Sequence, residues 1–211
     1  MSKKLYPRLN ATLHEVLESI PAPDQSRIEK LSKIADWLST DPSNRDLIFV
    51  CTHNSRRSHM AQNWATAAAE FYDIEGIKTY SAGTESTAMH PHTVEALAEC
   101  GFEINAPDNV ASNPYYEIRI SGMIPSTIGF SKTLTHESLP KSNFCAVMVC
   151  DEAAEACPIV PGASLRVPLS FKDPKESDNT PKRRAVYLRR SKEIGREMMW
   201  VMEQVKKDAT H

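Results

Sequence analysis

The sequence predicts an α/β fold, a central parallel sheet flanked by helices, with a helical extension in front of it and a β-hairpin inserted within it. Three observations carry this. Two short runs, 46–51 and 144–150, have the unbroken hydrophobicity of strands buried on both faces. The segments 58–72, 92–100 and 194–205 instead space their apolar residues as helices do. Strands alternating with helices build parallel sheets covered by helices.

At 211 residues the chain suits one domain with a sizeable core and an appended segment, and is short for two full domains. Its 41% apolar and 25% charged residues are ordinary globular values, and seven glycines argue against low complexity. A formal net charge of -2 supplies no basic field for nucleic acid, so any anion must be held by a local site. The opening residues, MSKKLYPRLNATLHEVL, lack the apolar core of a secretory signal, and no stretch approaches the ~20 apolar residues of a membrane span. A cytosolic setting is expected. Cys51, Cys100, Cys145, Cys150 and Cys157 then read as reactive or packed thiols rather than structural bridges. The histidines are scattered and the Cys150/Cys157 spacing lacks the paired partners of a zinc site, so no metal or cofactor is expected.

In chain order, residues 1–45 form the extension and 46–211 the α/β unit. Leu13, Val16, Leu17 and Ile20 mark a helix over 11–20, and Ile28, Leu31, Ile34 and Leu38 a second over 25–38. Pro21, Pro23 and Asp24 separate the two, and the turn 41–44 ends the second. The run 46–51 is the first strand; Met60, Ala61, Trp64, Ala65, Ala68 and Phe71 place a helix over 58–72. A second strand follows over 77–81, with 82–84 as its exit loop, then a helix over 92–100 closed by Gly101. In the tract 106–140, the segments 115–120 and 127–131 fit an inserted hairpin, and no chemistry is legible. The run 144–150 is the strongest strand, 165–169 a weaker edge strand, and Ile194, Met198, Val201, Met202 and Val205 stripe a long final helix.

Chemistry concentrates in one loop. Cys51-Thr52-His53-Asn54-Ser55-Arg56-Arg57-Ser58 sets a cysteine at a strand end, an arginine six residues later and a helix start directly after. Such a loop can curl so that its backbone N–H groups and the helix dipole face a tetrahedral oxyanion. The planar fork of Arg57 matches two of that anion's oxygens. The same positive field favours a thiolate, the form in which a cysteine attacks. Ser58 can donate a hydrogen bond to that thiolate, and Asn54 tolerates the left-handed backbone the loop needs.

This motif, together with Ser81-Ala-Gly-Thr84 after the second strand and Asp173-Pro174 near the end, resembles the low-molecular-weight protein tyrosine phosphatase family. The resemblance is closer still to its thioredoxin-coupled arsenate reductases; it runs from about residue 46 to the C-terminus and omits the first 45 residues. It implies that Cys51 is the nucleophile, that Asn54, Ser55 and Arg57 build the anion cradle alongside Thr52, His53 and Arg56, that Ser58 stabilises the thiolate and that Asp173 is the general acid. A carboxylic acid on a loop over the pocket can protonate a leaving oxygen.

Cys150 and Cys157, seven apart directly after the central strand, resemble the arsenate reductases, whereas plain phosphatases usually lack the pair. The implied relay has Cys51 attack arsenate, Cys150 attack the adduct and Cys157 resolve the disulfide, which thioredoxin or glutaredoxin then reduces. Seven residues of helix hold two cysteines too far apart to bond, so the segment must unwind. Lys175-Glu176 stands where tyrosine phosphatases present tyrosines, which favours a small anion such as arsenate or phosphate over a phosphorylated protein. His53 replaces the family's usual glycine, and Arg56 a cysteine found in many members. Two alternatives stay open: hydrolysis of phosphomonoesters through a phosphocysteine, and a non-catalytic phosphate- or phosphopeptide-binding module. Cys100 and Cys145 read as packing residues, and the oligomeric state is not legible.

Overall fold

Arg45–Cys51, the strand labelled β1, buries nearly every side chain, as its unbroken apolar run requires, and stands at the centre of the molecule. The computed structural model describes residues 5–106 and 111–209; residues 1–4 of the predicted extension and 107–110 of the predicted insertion lie outside the described residues. Three strands join β1 in one parallel sheet: β2 (Ile77–Gly83), β6 (Phe144–Met148) and β7 (Ala163–Pro168), in the order β2-β1-β6-β7. The chain leaves β1 toward β2 on one side and later returns to β6 on the other. Between the carboxyl ends of β1 and β6 lies a topological switch point, where open α/β sheets place their binding crevice.

The helices cover this sheet as the sequence predicts. In the extension, α1 (Pro7–Ser19) buries Leu9, Leu13 and Val16, and α2 (Gln25–Thr40) buries Leu31, Ile34 and Leu38. The first begins at Pro7 rather than at residue 11, because proline at the first helical position gives up an N–H the helix does not need. Asp24 caps the second by accepting the Arg27 N–H at 3.0 Å. Next, α3 (Arg57–Phe71) lies on β1 and β2, while α6 (Arg183–Asp208) packs across α1, α2, α3 and α4 (Pro91–Glu99). No described helix is long and apolar enough to cross a membrane.

The tract expected to hold a hairpin does so: β4 (Tyr116–Arg119) pairs antiparallel with β5 (Thr127–Gly129). A third strand, β3 (Glu103–Asn105), pairs with β4 and was not visible in so short a polar stretch. Two boundaries differ in ways that matter. The expected exit loop at residues 82–84 is instead strand as far as Gly83, paired with Cys51. At β6 the ladder stops at Met148, and Cys150 turns to cap the short helix α5 (Asp151–Ala156).

The seam between α3 and α6 depends on Gly195. A Cβ there would sit 2.6 to 2.9 Å from ring carbons of Trp64, which is fully buried, donates its indole N–H to Ser191 at 2.9 Å and cannot swing away. Overpacking of this kind costs ~1–3 kcal/mol, whereas alanine gains at most ~1 kcal/mol in helix propensity over glycine. Gly195→Ala is therefore expected to lower the denaturant midpoint of unfolding while leaving its slope unchanged.

Candidate active site

Cys51 ends β1, and residues 52–56 arch from it into α3. The arch turns on Asn54, whose backbone is left-handed at φ 44. Its side chain is fixed as firmly. The Lys132 N–H donates to Asn54 Oδ1 at 2.9 Å, which orients the amide so that Nδ2 donates to Ser58 Oγ at 2.8 Å. The Ser58 oxygen is then an acceptor from Asn54, and its own proton is free for Cys51 Sγ, 3.1 Å away. One backbone N–H thus selects a hydroxyl that donates to the sulfur.

His59 braces the arch from behind. Its Nε2 lies 2.9 Å from Asn54 O, which can only accept, so this nitrogen carries the proton; Nδ1 then accepts from Ser81 Oγ at 3.2 Å. Burial, with Lys132 nearby, pushes the imidazole down to about 3. Lys132 is itself buried, which pulls its amine down to about 8; it donates to Phe130 O at 3.2 Å and lies over the Phe130 ring. Gly83 completes the brace. A Cβ there would stand 2.7 Å from both Asn54 N and Thr52 O, so only glycine admits the loop this close to β2.

The guanidinium of Arg57 is buried under the arch. Its Nη1 donates to Phe171 O at 2.9 Å and its Nη2 to Asp173 Oδ2 at 2.5 Å. Its Nε is buried and meets no acceptor among the described residues, the situation an oxyanion corrects. Among the described residues, the backbone N–H groups from His53 to Ser58 likewise meet no protein acceptor. Asp173 also accepts the Lys175 N–H at 3.0 Å, capping a 3-10 turn at Pro174–Ser177. It therefore competes with any incoming anion for one arm of Arg57.

The other residues singled out in the loop have different surroundings. Ser55 is buried, and its carbonyl accepts from the His90 N–H at 2.9 Å and Thr93 Oγ1 at 3.3 Å. His53 turns its ring toward solvent, 3.5 Å from Glu85, while its carbonyl accepts from Ser131 Oγ at 2.8 Å. Arg56 neither faces water nor reaches into the cradle. Its side chain turns to Asp178 at 2.9 Å and Tyr187 at 2.7 Å, so only its backbone is available to the loop. His90, His92 and Asp178 bring donor atoms within 4.8 Å of one another. Asp178 already accepts from Arg56 and from Tyr187, and a guanidinium there opposes a metal cation.

Across the switch point, Cys150 is fully buried with Sγ 3.5 Å from Thr52 Oγ1, so the two predicted thiols flank one threonine. Burial pushes the Cys150 thiol up; contacts from Thr52 and the Ala153 N–H, with the charge of Arg57, work against that rise. Cys157 is half-buried at the other end of α5. Cys100 and Cys145 are buried well away from the loop, and burial raises both thiols. Sequence reading missed His59 and Lys132. The first looks like any helical residue, and the second sits in a tract with no legible motif.

A strand-end cysteine, an arch of amides without protein acceptors among the described residues and a buried guanidinium are what a cysteine-based handler of tetrahedral oxyanions requires. Residues 46–119 match the low molecular weight phosphotyrosine protein phosphatase family. A Bacillus subtilis protein named arsenate reductase is 32% identical over 153 residues, spanning 72% of this chain and 91% of its own. One of the same name from Halalkalibacterium halodurans is 30% identical over 152 residues, spanning 71% and 89%. Among solved structures, a YwlE arginine phosphatase shares the fold with a TM-score of 0.50 at 20% identity, covering 78% of this chain and 98% of that one. The chain belongs to the low molecular weight phosphotyrosine protein phosphatase family.

The neutral, buried His59 makes the brace sensitive to acid. An unfolded histidine takes up its proton near 6.5, but the folded one not until about 3. Folding stability contributed by this group is present above pH 6.5 and lost as the pH falls toward 3, at ~1.4 kcal/mol per pH unit. Between pH 7 and pH 5 the wild type should lose ~2 kcal/mol through this group, and urea unfolding of His59→Gln should lack that increment.

Proposed function

We propose that this chain is an arsenate reductase in which Cys51 attacks arsenate and Cys150 and Cys157 carry away the oxidation. One observation carries the reading: the switch point brings Cys150 to the threonine that follows Cys51, with Cys157 at the far end of a six-residue helix. A phosphatase needs neither thiol.

The Cys51 thiolate attacks arsenic while Arg57 and the loop amides take the charge of the oxygens. The carboxylate of Asp173, released from Arg57 as the anion takes its place, takes up a proton from solvent and passes it to the departing oxygen, which leaves as water. Cys150 Sγ then attacks Cys51 Sγ. A Cys51–Cys150 disulfide forms, the S–As bond breaks, and its electron pair stays on arsenic, which leaves as arsenite. Cys157 attacks Cys150, restoring the Cys51 thiolate and leaving a Cys150–Cys157 disulfide. Two thiols are oxidised for each arsenic reduced by two electrons. A dithiol protein of the thioredoxin class, or glutaredoxin with glutathione, would supply the next pair of electrons in a cytosolic setting. Residues 46–211 are the proposed catalytic unit and 1–45 its buttress. Phosphomonoester hydrolysis is the second reading; it shares the first step and is favoured by Asp173 lying at the cradle.

In a single turnover of pre-reduced protein, one arsenite should appear for every two free thiols lost. Cys51→Ser and Cys150→Ser should abolish arsenite formation, by on the order of 10³-fold or more. Cys157→Ser should release one arsenite and stop as a Cys51–Cys150 disulfide. Cleavage of p-nitrophenyl phosphate that requires Cys51 but survives loss of Cys150 and Cys157, with no arsenite formed, would make the chain a phosphatase. Anion binding without any product would make it a binding module.

A further inference from the structure

The half of the relay farthest from Cys51 has a feature the proposed chemistry does not itself explain. Cys150 and Cys157 flank α5, whose rise of about 1.5 Å per residue holds them roughly 10 Å apart. A disulfide needs Cα atoms within about 7 Å, so α5 must open before the pair can bond. The helix is weakly held: Ala153 is its only buried residue. One side chain from outside pins its end. Arg166, on the neighbouring strand β7, donates from Nε to Cys157 O at 2.9 Å and from Nη2 to Ala154 O. These are carbonyls of the last turn, which the helix itself leaves unpaired, and a cation there is favoured by the helix dipole.

We propose that Arg166 is a latch that sets the reduction potential of the Cys150/Cys157 pair, an inference that rests on the relay above. Its fork binds the carbonyls only in the wound geometry, so it stabilises the dithiol form and not the disulfide. Closing the pair joins the two sulfurs and releases two protons and two electrons. The electrons go to Cys51-bound arsenic through the disulfide exchange in turnover, or to glutathione disulfide in a redox buffer. A latch on the dithiol makes that step less favourable, and makes the disulfide easier for a reductant to reopen once the catalytic cycle has formed it. Arg166 contacts neither the cradle nor Cys51 and is a positioning residue.

The test is redox titration in glutathione buffers of the full chain carrying Cys51→Ser, so that the pair titrates alone, with disulfides located by alkylation and peptide mapping. Arg166→Ala should shift the equilibrium roughly tenfold toward the disulfide, a potential about 30 mV more negative. Arg166→Lys keeps the charge but not the fork and should recover part of the shift. Glu155→Gly, which weakens α5 at an exposed position without touching Arg166, should move the potential in the same direction. An unchanged or more positive potential in Arg166→Ala, with or without a loss of thermal stability, overturns the latch alone. Failure of the parent chain to form a Cys150–Cys157 disulfide at any potential removes both the relay and the latch.

Discussion

The site hangs on one backbone hydrogen bond, from the Lys132 N–H to the side-chain oxygen of Asn54. An amide side chain left to itself can present either end; with its oxygen taken, it has only N–H to offer Ser58, and the Ser58 proton is left for the sulfur of Cys51. Reversing the amide would make Ser58 a donor to Asn54 and turn a lone pair toward Cys51, where it would oppose a thiolate. The proton inventory of three side chains is thus decided by a main-chain group 78 residues away in sequence. The same segment accepts the Gly83 N–H through Lys132 O at 2.8 Å, so the arch, β2 and the tract after the hairpin are bound together.

Rigidity and looseness divide along the switch point. On the β1 side the carbonyls of the arch are held from outside: His59 holds Asn54 O, Thr93 holds Ser55 O and Ser131 holds His53 O. Preorganised dipoles of this kind need no rearrangement when charge develops on an anion. On the β6 side lies α5, with one buried residue and a borrowed cap. A reaction that moves a disulfide across the crevice needs both properties, and the fold supplies them on opposite sides of it.

Arg27 links the N-terminal helices to this site. Arg27, at the start of α2, donates to both oxygens of Glu197 on α6 at 2.8 and 2.6 Å, and to Ser170 O at 2.8 Å. Its guanidinium also lies 4.7 Å from the centre of the Phe171 ring, and Phe171 O is the carbonyl that holds Arg57. Burial raises the Glu197 carboxyl, with Arg27 opposing that rise. The extension therefore braces the segment against which Arg57 rests.

What the sequence alone determined is what neighbours in the chain can decide. Cys51, Asn54, Arg57 and Ser58 lie within eight residues, so their chemistry follows from a strand end, a left-handed residue and a helix start, all of which are local. The parallel sheet followed from alternating periodicities, which are likewise local. Tertiary structure decided the rest, because the deciding contacts cross the fold. Nothing near Lys132 announces that its N–H orients Asn54, nothing near His59 that its ring holds the arch, and Arg56 belongs to Asp178 and Tyr187 rather than to the cradle beside which it is written. Arg166 is one more residue of an edge strand until the sheet brings it to the end of α5. Local geometry chose the groups that can react, and long-range hydrogen bonds chose which of their protons face the anion.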